Sequence, residues 1–557
     1  MESIGHFLLR RLREVGISHV IGVPGDFNLQ LLEQFSEVEG IEFVNSTNEL
    51  NAAYAADGYA RQRGIGALLT TYGVGELSAL NGVAGAAAEH VPVVSIAGAP
   101  PLHAMRSGLP LHHSLTDGNY INVERAFGQF VAGTARLTPG NAVAEIDRLL
   151  RLAILEKRPV HIQVPSDISY LEIDTPSEPF QAPRLTSDPT NLADAVVAIA
   201  DLVNGAEKPA LLIDLEAKRY GWADVLLRIA RENGIRWATL VTSKAVLPET
   251  DPLFAGVYGG ANSAPEVKDL IEGSDALLAI SPRFIEVNSG IFTQALPENT
   301  VKIYADTTFV GTHVYEGVAA ADLLSKLADS LHRAPASLAH KPARTFEAKA
   351  DAKLDQNSGR LWEQITDFVR PGDVVVAEAG TSYLALGGQT MPEGVDYTSS
   401  NIWGAIGWTL PVTFGWQLAA PDRRHLLVIG DGSFQLTAQE LSTILARGQK
   451  PVIVLINNSG YTIERYILGH ESHYNDIAPW DYASLIAGLA PNADLRTFQA
   501  RTEGELASAL SAVSDGEGGF IEVIVDPLDA PDALVKFGPA SARFDYGRRG
   551  PELPNLG

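Results

Sequence analysis

The sequence predicts an α/β protein built from three doubly wound, parallel-sheet domains. Short apolar runs alternate with helical patterns along the chain, and the runs end in Gly, Asp or Asn, which is typical of buried strands that stop at turns. Residues 174–191 break this alternation with Pro, Ser and Thr, and residues 334–352 break it with Ala, Pro, Ser and Lys. We interpret both stretches as linkers, so the predicted domains are residues 1–175, 190–335 and 353–557.

In the first domain, a helix predicted at residues 4–15 precedes a set of strands, and an Ala-rich helix follows Glu49. The continuous apolar runs of this domain predict strands at residues 19–23, 41–44, 67–71, 91–96 and 159–164. Strands separated by helices in this way form a parallel sheet with helices on its faces.

The second domain repeats the pattern, with strands predicted at residues 210–214, 276–280 and 301–304. In the third domain a strand at 425–429, a helix at 436–445 and a strand at 452–456 form a βαβ unit, whose strands run parallel. Three such units suggest repetition of one architecture, although the residues themselves show no clear repeat.

Polar residues follow both strands of this βαβ unit. Asp431 stands in Gly430-Asp431-Gly432 after the first strand, and Asn458 follows the second. The carboxyl ends of neighbouring parallel strands meet at one edge of the sheet, where ligands bind. Carboxylate and amide oxygens suit Mg²⁺ shared with a phosphorylated ligand. A lone Gly-Asp-Gly is more often only a turn, and it is the spacing to Asn458 that favours a metal site.

Composition excludes several classes of protein and of site. The formal net charge is −25, which argues against partners such as nucleic acid and anionic membranes. The chain has no cysteine, so disulfides, thiol catalysis and Cys-based metal sites are excluded. The amino terminus lacks the pattern of a signal peptide, and no apolar run is long enough to span a membrane. We therefore expect a cytoplasmic protein.

Polar residues also end the predicted strands of the first domain. Asp26, Glu49 and Thr71 follow three of them, on the edge that holds ligands in such sheets. Ser46-Thr47-Asn48-Glu49 fits a capping box, so the residues alone favour a structural role for Glu49 at a helix start.

A histidine pair, His112-His113, lies on a predicted loop. By itself the pair could be solvated or form a chance metal site, but for Zn²⁺ the sequence offers no third ligand at a telling spacing. Beside Asp26 the pair fits a proton relay better, since imidazole exchanges protons near neutral pH.

Seven motifs together resemble the non-oxidative thiamine diphosphate (ThDP)-dependent 2-oxo acid decarboxylases, which act on pyruvate, indolepyruvate, phenylpyruvate or branched-chain 2-oxo acids. The motifs are Val23-Pro24-Gly25-Asp26, Asn48-Glu49-Leu50-Asn51, Thr71-Tyr72-Gly73-Val74-Gly75-Glu76, His112-His113, Trp403-Gly404-Ala405-Ile406-Gly407, Gly430-Asp431-Gly432-Ser433 and Asn457-Asn458-Ser459-Gly460-Tyr461-Thr462-Ile463-Glu464. The resemblance covers nearly the whole chain. It implies the ThDP-enzyme fold, with pyrimidine, central and diphosphate domains in that order.

The resemblance also implies ThDP and Mg²⁺ as cofactors and assigns roles to matching residues. Side-chain oxygens of Asp431 and Asn458 and the carbonyl of Gly460 would bind Mg²⁺. Glu49 would activate the aminopyrimidine ring of ThDP, and Ile406 would hold the cofactor bent. The other implied cofactor contacts are Thr71, Gly380, Thr381, Ser382, Gly404, Gly432, Ser433 and Tyr461. With Glu49, the implied catalytic residues are Asp26, His112, His113 and Glu464.

The substrate pocket implied by the resemblance is lined by Val287, Tyr383, Leu384, Ile463 and Phe537. Val287 and Leu384 are smaller than the aromatic residues of pyruvate decarboxylases. This difference favours a branched-chain or aromatic 2-oxo acid over pyruvate, although a methylene in an apolar pocket contributes only about 1–3 kcal/mol to discrimination.

Several alternatives remain open at this stage. Within enzymes they are a pyruvate decarboxylase, a ThDP-dependent carboligase and an FAD-dependent synthase. Outside enzymes they are a ThDP-binding protein without turnover and a dinucleotide-binding protein, for which the chain has only scattered Gly-x-Gly pairs. Members of the resembling family form homodimers or homotetramers with the active site between subunits, and we expect the same here.

Overall fold

The structure, a computed structural model, describes residues 1–336, 338, 345–493, 495–514 and 516–547. Three sheets flanked by helices follow one another along the chain, which confirms the predicted α/β class. All the strands predicted above are present. The predicted linker at residues 334–352 lies partly outside the described residues. No helix in the described ranges has the length and apolarity needed to cross a membrane.

The N-terminal domain contains a parallel sheet of six strands. Its strands are, in spatial order, Glu42–Asn45, His19–Gly22, Gly66–Thr71, Val93–Ala99, Val160–Pro165 and Gly133–Arg136. The helices are Ile4–Glu14, Leu29–Glu33, Glu49–Arg63, Val74–Ala88, Leu102–Arg106, Asn122–Phe127 and Ala142–Glu156, with a 3-10 turn at Gln34–Glu37. A two-stranded antiparallel pair, Glu2–Ser3 with Glu172–Ile173, joins the ends of the domain.

The central domain contains a mixed sheet of seven strands. In spatial order they are Phe254–Val257, Arg236–Thr239, Pro209–Ile213, Ala276–Ile280, Val301–Ile303, Thr307–Val310 and His313–Glu316. The last two strands pair antiparallel, so this sheet departs from the all-parallel prediction at one edge. Its helices are Pro189–Gly205, Glu216–Arg219, Ala223–Asn233, Pro265–Glu272 and Ala320–Ser330, with 3-10 turns at Val241–Ser243 and Gly260–Asn262.

The C-terminal domain contains a second parallel sheet of six strands. In spatial order they are Asp396–Thr398, Val374–Ala377, His425–Gly430, Val452–Asn457, Gly519–Ile524 and Thr497–Ala500. The helices are Arg360–Phe368, Thr381–Gly387, Thr409–Ala419, Asp431–Thr437, Glu440–Ala446, Thr462–Ile467, Tyr482–Leu489, Glu503–Ala512 and Asp532–Tyr546, with a 3-10 turn at His473–Asn475.

The N-terminal and C-terminal sheets share one topology. Numbered along the chain within each domain, the strands lie in the spatial order 2-1-3-4-6-5 in both. The order reverses between the first and third strands, which are His19–Gly22 and Gly66–Thr71 in one sheet and Val374–Ala377 and His425–Gly430 in the other. Ligands of open α/β sheets bind beyond the carboxyl ends of strands at this switch point.

Two helices pack the N-terminal domain tightly against the C-terminal domain. A Cβ on Gly58 of the helix Glu49–Arg63 would lie 2.3 Å from the carbonyl oxygen of Val412, and one on Gly415 would lie 1.8 Å from that of Ala55. Only residues without a side chain permit this approach to the helix Thr409–Ala419. The apolar side chains around the crossing belong to one core shared by both domains.

The predicted helix at residues 436–445 differs in the structure. A first helix, Asp431–Thr437, begins directly after the strand, and a second, Glu440–Ala446, follows a short break. The Thr437 hydroxyl donates to the Gly407 carbonyl at 2.7 Å, which anchors the end of the first helix. Asp431 therefore lies in the first turn of a helix rather than on a loop before one.

Candidate active site

Asp26, His112 and His113, which we call the acid–base cluster, meet beyond the carboxyl edge of the N-terminal sheet. Asp26 lies on the turn after the strand His19–Gly22, and its Oδ2 is 2.8 Å from Nε2 of His112. The His112 ring stacks on Phe27 with centroids 4.9 Å apart, and the two histidine rings are 4.4 Å apart. A carboxylate and two imidazoles in contact can pass protons.

Folding changes the assessment of metal binding at this cluster. Ligand atoms of Asp26, His112 and His113 all lie within 4.8 Å of one another. Sequence spacing alone shows no third ligand near the histidine pair, but in the structure Asp26, which is 86 residues from His112 along the chain, lies close enough to share a cation with both histidines.

Glu49 begins the helix Glu49–Arg63 but does not cap it. The N-cap is Asn48, whose side-chain oxygen accepts from the Asn51 N–H at 2.8 Å, so the predicted capping box is absent. Among the described residues, none hydrogen-bonds to the Glu49 carboxyl. A Cβ on Gly75 would lie 3.2 Å from its Oε1, so the carboxyl rests against the first turn of the next helix. Glu49 is thus free to bind a ligand.

Thr71 lies at the switch point of the N-terminal sheet. It ends the strand Gly66–Thr71, and a Cβ on Gly25 would lie only 2.5 Å from its Cβ. The Thr71 hydroxyl is buried without a hydrogen-bond partner in the described part of the chain. The turn that carries Asp26 and the strand end at Thr71 therefore touch.

Asp431, Asn458 and Gly460, which we call the cation cradle, converge at the same edge of the C-terminal sheet. Asp431 follows the strand His425–Gly430, and Asn458 follows Val452–Asn457. One terminal atom of the Asn458 amide lies 3.1 Å from Oδ1 of Asp431 and 2.8 Å from the Gly460 carbonyl oxygen. The structure thus brings together the three predicted metal ligands.

The chemistry of the cradle fits a divalent cation. Oδ2 of Asp431 is buried without a partner among the described residues, and burial raises the pKa of this carboxyl to about 6. If the Asn458 amide oxygen faces inward, three oxygens meet and require a cation, whereas an inward nitrogen donates to the other two oxygens. Mg²⁺ suits such an all-oxygen set.

Two glycines near the cradle have opposite surroundings: Gly380 borders open space, and Gly432 is closely packed. Gly380 has φ +124°, and a Cβ built on it would meet no atom within 4 Å. The helix Thr381–Gly387 follows, and the Ser382 hydroxyl is buried there without a partner among the described residues. A Cβ on Gly432 would lie 2.5 Å from the Tyr461 ring, so this ring packs directly on the backbone. Ser433 and Thr381 are also buried.

The loop that carries Gly404 and Ile406 rests on the same region. A Cβ on Gly407 would lie 3.0 Å from the Ser433 carbonyl oxygen, and Gly407 has φ +76°. Gly404 has φ +67° and faces open space. The helix Asp431–Thr437 therefore supports the loop beside the cradle.

Glu464 lies on the helix Thr462–Ile467 next to an apolar cluster. Partial burial raises the pKa of its carboxyl, and repulsion from Asp545 raises it further. The cluster, which we call the side-chain pocket, consists of Val287, Ile291, Leu384, Ile463, Tyr466, Ile467, Ala530, Leu534, Val535 and Phe537. Four of the five predicted pocket residues belong to it. Tyr383 does not: it is buried, and its nearest charged and titratable neighbours include Tyr397.

Two buried carboxylates near these sites have no role assigned from the sequence. Glu440 accepts from Thr47 Oγ1 at 2.6 Å and from Asn51 Nδ2 at 2.9 Å, which ties the start of the Glu49–Arg63 helix to the C-terminal domain. Glu76 accepts from the Gly73 N–H at 2.7 Å and binds two further side chains of the N-terminal domain. Both carboxylates bind partners that are distant in sequence.

Within one chain the two halves of the site remain separate. Over the described ranges, no hydrogen bond, ion pair or ring contact joins Glu49 or the acid–base cluster to the cation cradle. Asp26 and Thr71 follow the two strands at the switch point of the N-terminal sheet, whereas the cradle lies beyond the third and fourth strands of the C-terminal sheet, next to its switch point.

Comparisons with known proteins agree with this arrangement. Residues 2–119 match the thiamine pyrophosphate enzyme N-terminal TPP binding domain, residues 196–332 the central domain, and residues 379–523 the C-terminal TPP binding domain of the same enzymes. Similar relatives are alpha-keto-acid decarboxylases of Mycobacterium avium, 38% identical over 544 residues with 96% of both chains covered, and of Mycobacterium leprae, 38% identical over 541 residues with 96% of this chain and 94% of the relative covered. A third, from Mycobacterium tuberculosis, is 37% identical over 538 residues and 96% of both chains. The chain therefore belongs to the family of thiamine diphosphate-dependent 2-oxo acid decarboxylases.

Proposed function

We propose that this protein converts a branched-chain or aromatic 2-oxo acid to an aldehyde and CO₂, with ThDP and Mg²⁺ as cofactors. The observation that carries the proposal is the convergence of the Asp431 carboxylate, the Asn458 amide and the Gly460 carbonyl, with the second Asp431 oxygen buried without a partner among the described residues. An all-oxygen cradle of this kind fits the Mg²⁺ that accompanies a diphosphate.

Binding of the diphosphate end is the task of the C-terminal domain. Asp431 and Asn458 hold Mg²⁺ through side-chain oxygens, and Gly460 holds it through its carbonyl. The open backbone at Gly380 and the buried hydroxyl of Ser382 offer hydrogen bonds to phosphate oxygens. Ile406, on the loop supported by the Asp431–Thr437 helix, holds the bound cofactor bent.

Activation of the cofactor is the task of Glu49. Its carboxyl has no competing hydrogen bond among the described residues, so it is free to bind the aminopyrimidine ring. ThDP, when bound, supplies a thiazolium ring that accepts the electron pair released as CO₂ leaves. Thr71, whose buried hydroxyl lacks a partner among the described residues, would offer a further contact to the cofactor.

We assign proton transfer to the acid–base cluster and to Glu464. The reaction of a 2-oxo carboxylate consumes one proton, which becomes the C–H of the aldehyde. Asp26 and His112 share a 2.8 Å contact, and His113 extends the relay. Glu464 has a raised pKa and therefore holds its proton to a higher pH than an ordinary glutamate. We assign Glu464 to the region of the departing carboxylate, and Asp26 with His113 to aldehyde release.

We assign substrate choice to the apolar residues of the side-chain pocket. Val287, Leu384 and Ile463 contribute aliphatic side chains, which leave more room than aromatic ones would, and the apolar lining favours branched-chain or aromatic substituents. Desolvation by this lining also favours loss of a charged carboxylate as neutral CO₂.

A homodimer or homotetramer with active sites between subunits completes the proposal. Among the described residues of one chain the two halves of the site make no direct contact, although one ThDP molecule must reach both. Val74 and Leu77, on the helix that begins beside Glu49, are 53% and 52% exposed. Large apolar side chains in such a position favour burial against a second copy.

The test is aldehyde formation from a panel of 2-oxo acids. We expect kcat/KM on 2-oxoisovalerate, 2-oxoisocaproate or phenylpyruvate to exceed that on pyruvate, and Glu49→Gln to lose about 100-fold or more in kcat. Higher kcat/KM on pyruvate would refute the substrate assignment. Full activity of Glu49→Gln would refute the assigned mechanism.

A further inference from the structure

A buried polar network supports the backbone on which Glu49 and His113 rest. Glu76 is fully buried, and its Oε2 accepts from the Gly73 N–H at 2.7 Å. Its Oε1 is 2.9 Å from Nε2 of His161 and accepts from Nε2 of Gln163 at 2.8 Å. Three donors on one buried carboxylate hold it in a single position.

The partners of Glu76 are themselves fixed. His161 and Gln163 lie on the strand Val160–Pro165, the fifth of the six in spatial order, and are fully buried. Nδ1 of His161 is 3.0 Å from the Ser95 hydroxyl, and the His161 ring stacks on Phe127 with centroids 3.9 Å apart. Because a carboxylate only accepts, His161 carries a proton on Nε2 and Ser95 can donate to Nδ1.

The backbone at Gly73 connects the fixed Glu76 carboxylate to His113. Gly73 has φ +66°, and a Cβ built on it would lie 2.2 Å from the His113 carbonyl oxygen. The backbone of His113, itself at φ +61°, therefore lies directly on Gly73. If the Gly73 N–H moved away from Glu76, the backbone on which His113 lies would move with it.

The same helix start contacts Glu49. Gly75 follows two residues after Gly73, and a Cβ on it would lie 3.2 Å from Oε1 of Glu49. One turn of backbone thus touches both the carboxyl proposed to activate the cofactor and the histidine proposed to move protons. The Glu76 carboxylate, in the third position of the helix, fixes that turn.

We propose that Glu76, held by His161 and Gln163, is a positioning residue that aligns Glu49 and His113 for catalysis. The inference rests on the proposed function of those two residues. It gives the buried Glu76–His161 pair a part in turnover and not only in stability. Four charged or titratable groups act on the neighbouring Tyr72, and they are Glu76, Tyr120, Glu124 and Arg136. His161 contacts Glu76, Asp26 and His112 lie beside His113, and Glu49 lies against Gly75.

The test compares Glu76→Gln with Glu505→Gln. Glu505 caps another helix in the same way, by accepting from the Thr502 N–H, but lies outside the site. We expect Glu76→Gln to lower kcat about 10- to 100-fold, since misplacement of catalytic groups has effects of this size. We also expect a displaced limb in its pH profile of kcat/KM. Glu505→Gln should match the wild type in both.

Variants of the partners keep the test decisive if Glu76→Gln folds poorly. Ser95→Ala removes one hydroxyl and should lower kcat and shift the same limb, to a smaller extent. His161→Gln, which retains a donor, should keep more kcat than His161→Leu, at comparable thermal midpoints. The inference is overturned if a folded Glu76→Gln has the kcat and pH profile of the wild type. It is also overturned if Ser95→Ala has the kcat and pH profile of the wild type and the two His161 variants have equal kcat. Inactive wild-type enzyme, or fully active Glu49→Gln, would instead refute the proposed function.

Discussion

The Asp545 carboxylate contributes to the protonation of Glu464, a proposed catalytic group. Asp545 lies on the helix Asp532–Tyr546, where its Oδ2 accepts from the Ser541 hydroxyl at 3.2 Å. Partial burial raises the pKa of Glu464, and repulsion from the Asp545 carboxylate adds to the rise. The C-terminal helix thus helps to keep Glu464 protonated.

We expect Asp545→Asn to lower the pKa of Glu464, because the repulsive charge is removed while the shape of the side chain is kept. In the pH profile of kcat/KM, the limb due to Glu464 is the one that disappears in Glu464→Gln. That limb should move to lower pH in Asp545→Asn. Asp532→Asn, at the other end of the same helix, is the control and should leave the limb in place. A limb that does not move in Asp545→Asn, or that moves only in the control, would contradict this coupling.

Asp431 provides the only full negative charge of the cation cradle. Asp431→Asn keeps the volume but removes the charge that a divalent cation requires. We expect the affinity for ThDP in the presence of Mg²⁺ to fall by about 100-fold or more, since even changes behind a metal ligand lower metal affinity about 10- to 100-fold. Tryptophan fluorescence during ThDP titration, with and without chelator, measures the loss. Asp422→Asn, an exposed position before the same strand, should bind as the wild type does.

At the scale of elements, the crossing of the helices Glu49–Arg63 and Thr409–Ala419 depends on the absence of side chains. Gly415→Ala would place a methyl group 1.8 Å from the Ala55 carbonyl oxygen, so the helices must separate. We expect a loss of about 1–3 kcal/mol in the free energy of unfolding, as for other overpacked cores.

Gly488→Ala is the matched control for that substitution. Gly488 lies in the helix Tyr482–Leu489, and a Cβ there would meet nothing within 4 Å. Alanine in an open helical position should stabilise by about 0.5–1 kcal/mol. Thermal and urea midpoints should therefore move in opposite directions for the two variants. A shift of the same sign in both would show that the crossing is less tight than described.

The sequence predicts the strands of this protein better than its helix ends. Continuous apolar runs, such as 425–429 and 452–456, identify buried parallel strands because both faces of the sheet are covered. The antiparallel strands Thr307–Val310 and His313–Glu316 lack such runs and escape prediction, and the parallel strands Val374–Ala377 and Gly519–Ile524 are also missing from the prediction although they contain apolar runs. The break between Thr437 and Glu440 escapes as well, because it depends on contacts with Gly407 and with the N-terminal domain.

The residues of the candidate site also fall into two groups, those that local pattern predicts and those that only the fold brings together. Asp431 and Asn458 are predictable because each follows a strand of one βαβ unit, whereas the link between Asp26 and His112 spans 86 residues and required the fold. Local pattern even misassigned Glu49 to a capping box, since Asn48 competes for the cap position. Glu76 stands in the motif that begins at Thr71, but its buried network escapes prediction, because its partners His161 and Gln163 lie on a strand late in the domain.

At the scale of the whole molecule, two equivalent domains hold the two ends of one cofactor. The shared strand order puts Glu49 and the acid–base cluster at the carboxyl edge of one sheet and the cation cradle at the carboxyl edge of the other, each beside its switch point. Within the described chain no direct contact joins these halves, and exposed Val74 and Leu77 flank one of them. A second copy that covers this surface would bring its own cradle to the Glu49 of the first.

Complementation between two inactive variants tests this arrangement. We expect neither Glu49→Gln nor Asp431→Asn to be active alone. If each site combines Glu49 of one subunit with Asp431 of the other, a mixed dimer contains one site with both lesions and one site with none. Random mixing of equal amounts should then restore about a quarter of wild-type activity, because half of the dimers are mixed and each has one intact site. If both residues of a site come from one chain, every site carries a lesion and the mixture stays inactive. Co-expression with two affinity tags, followed by assay of the doubly tagged fraction, distinguishes these outcomes, and a mixture of each variant with itself controls for recovery during reassembly.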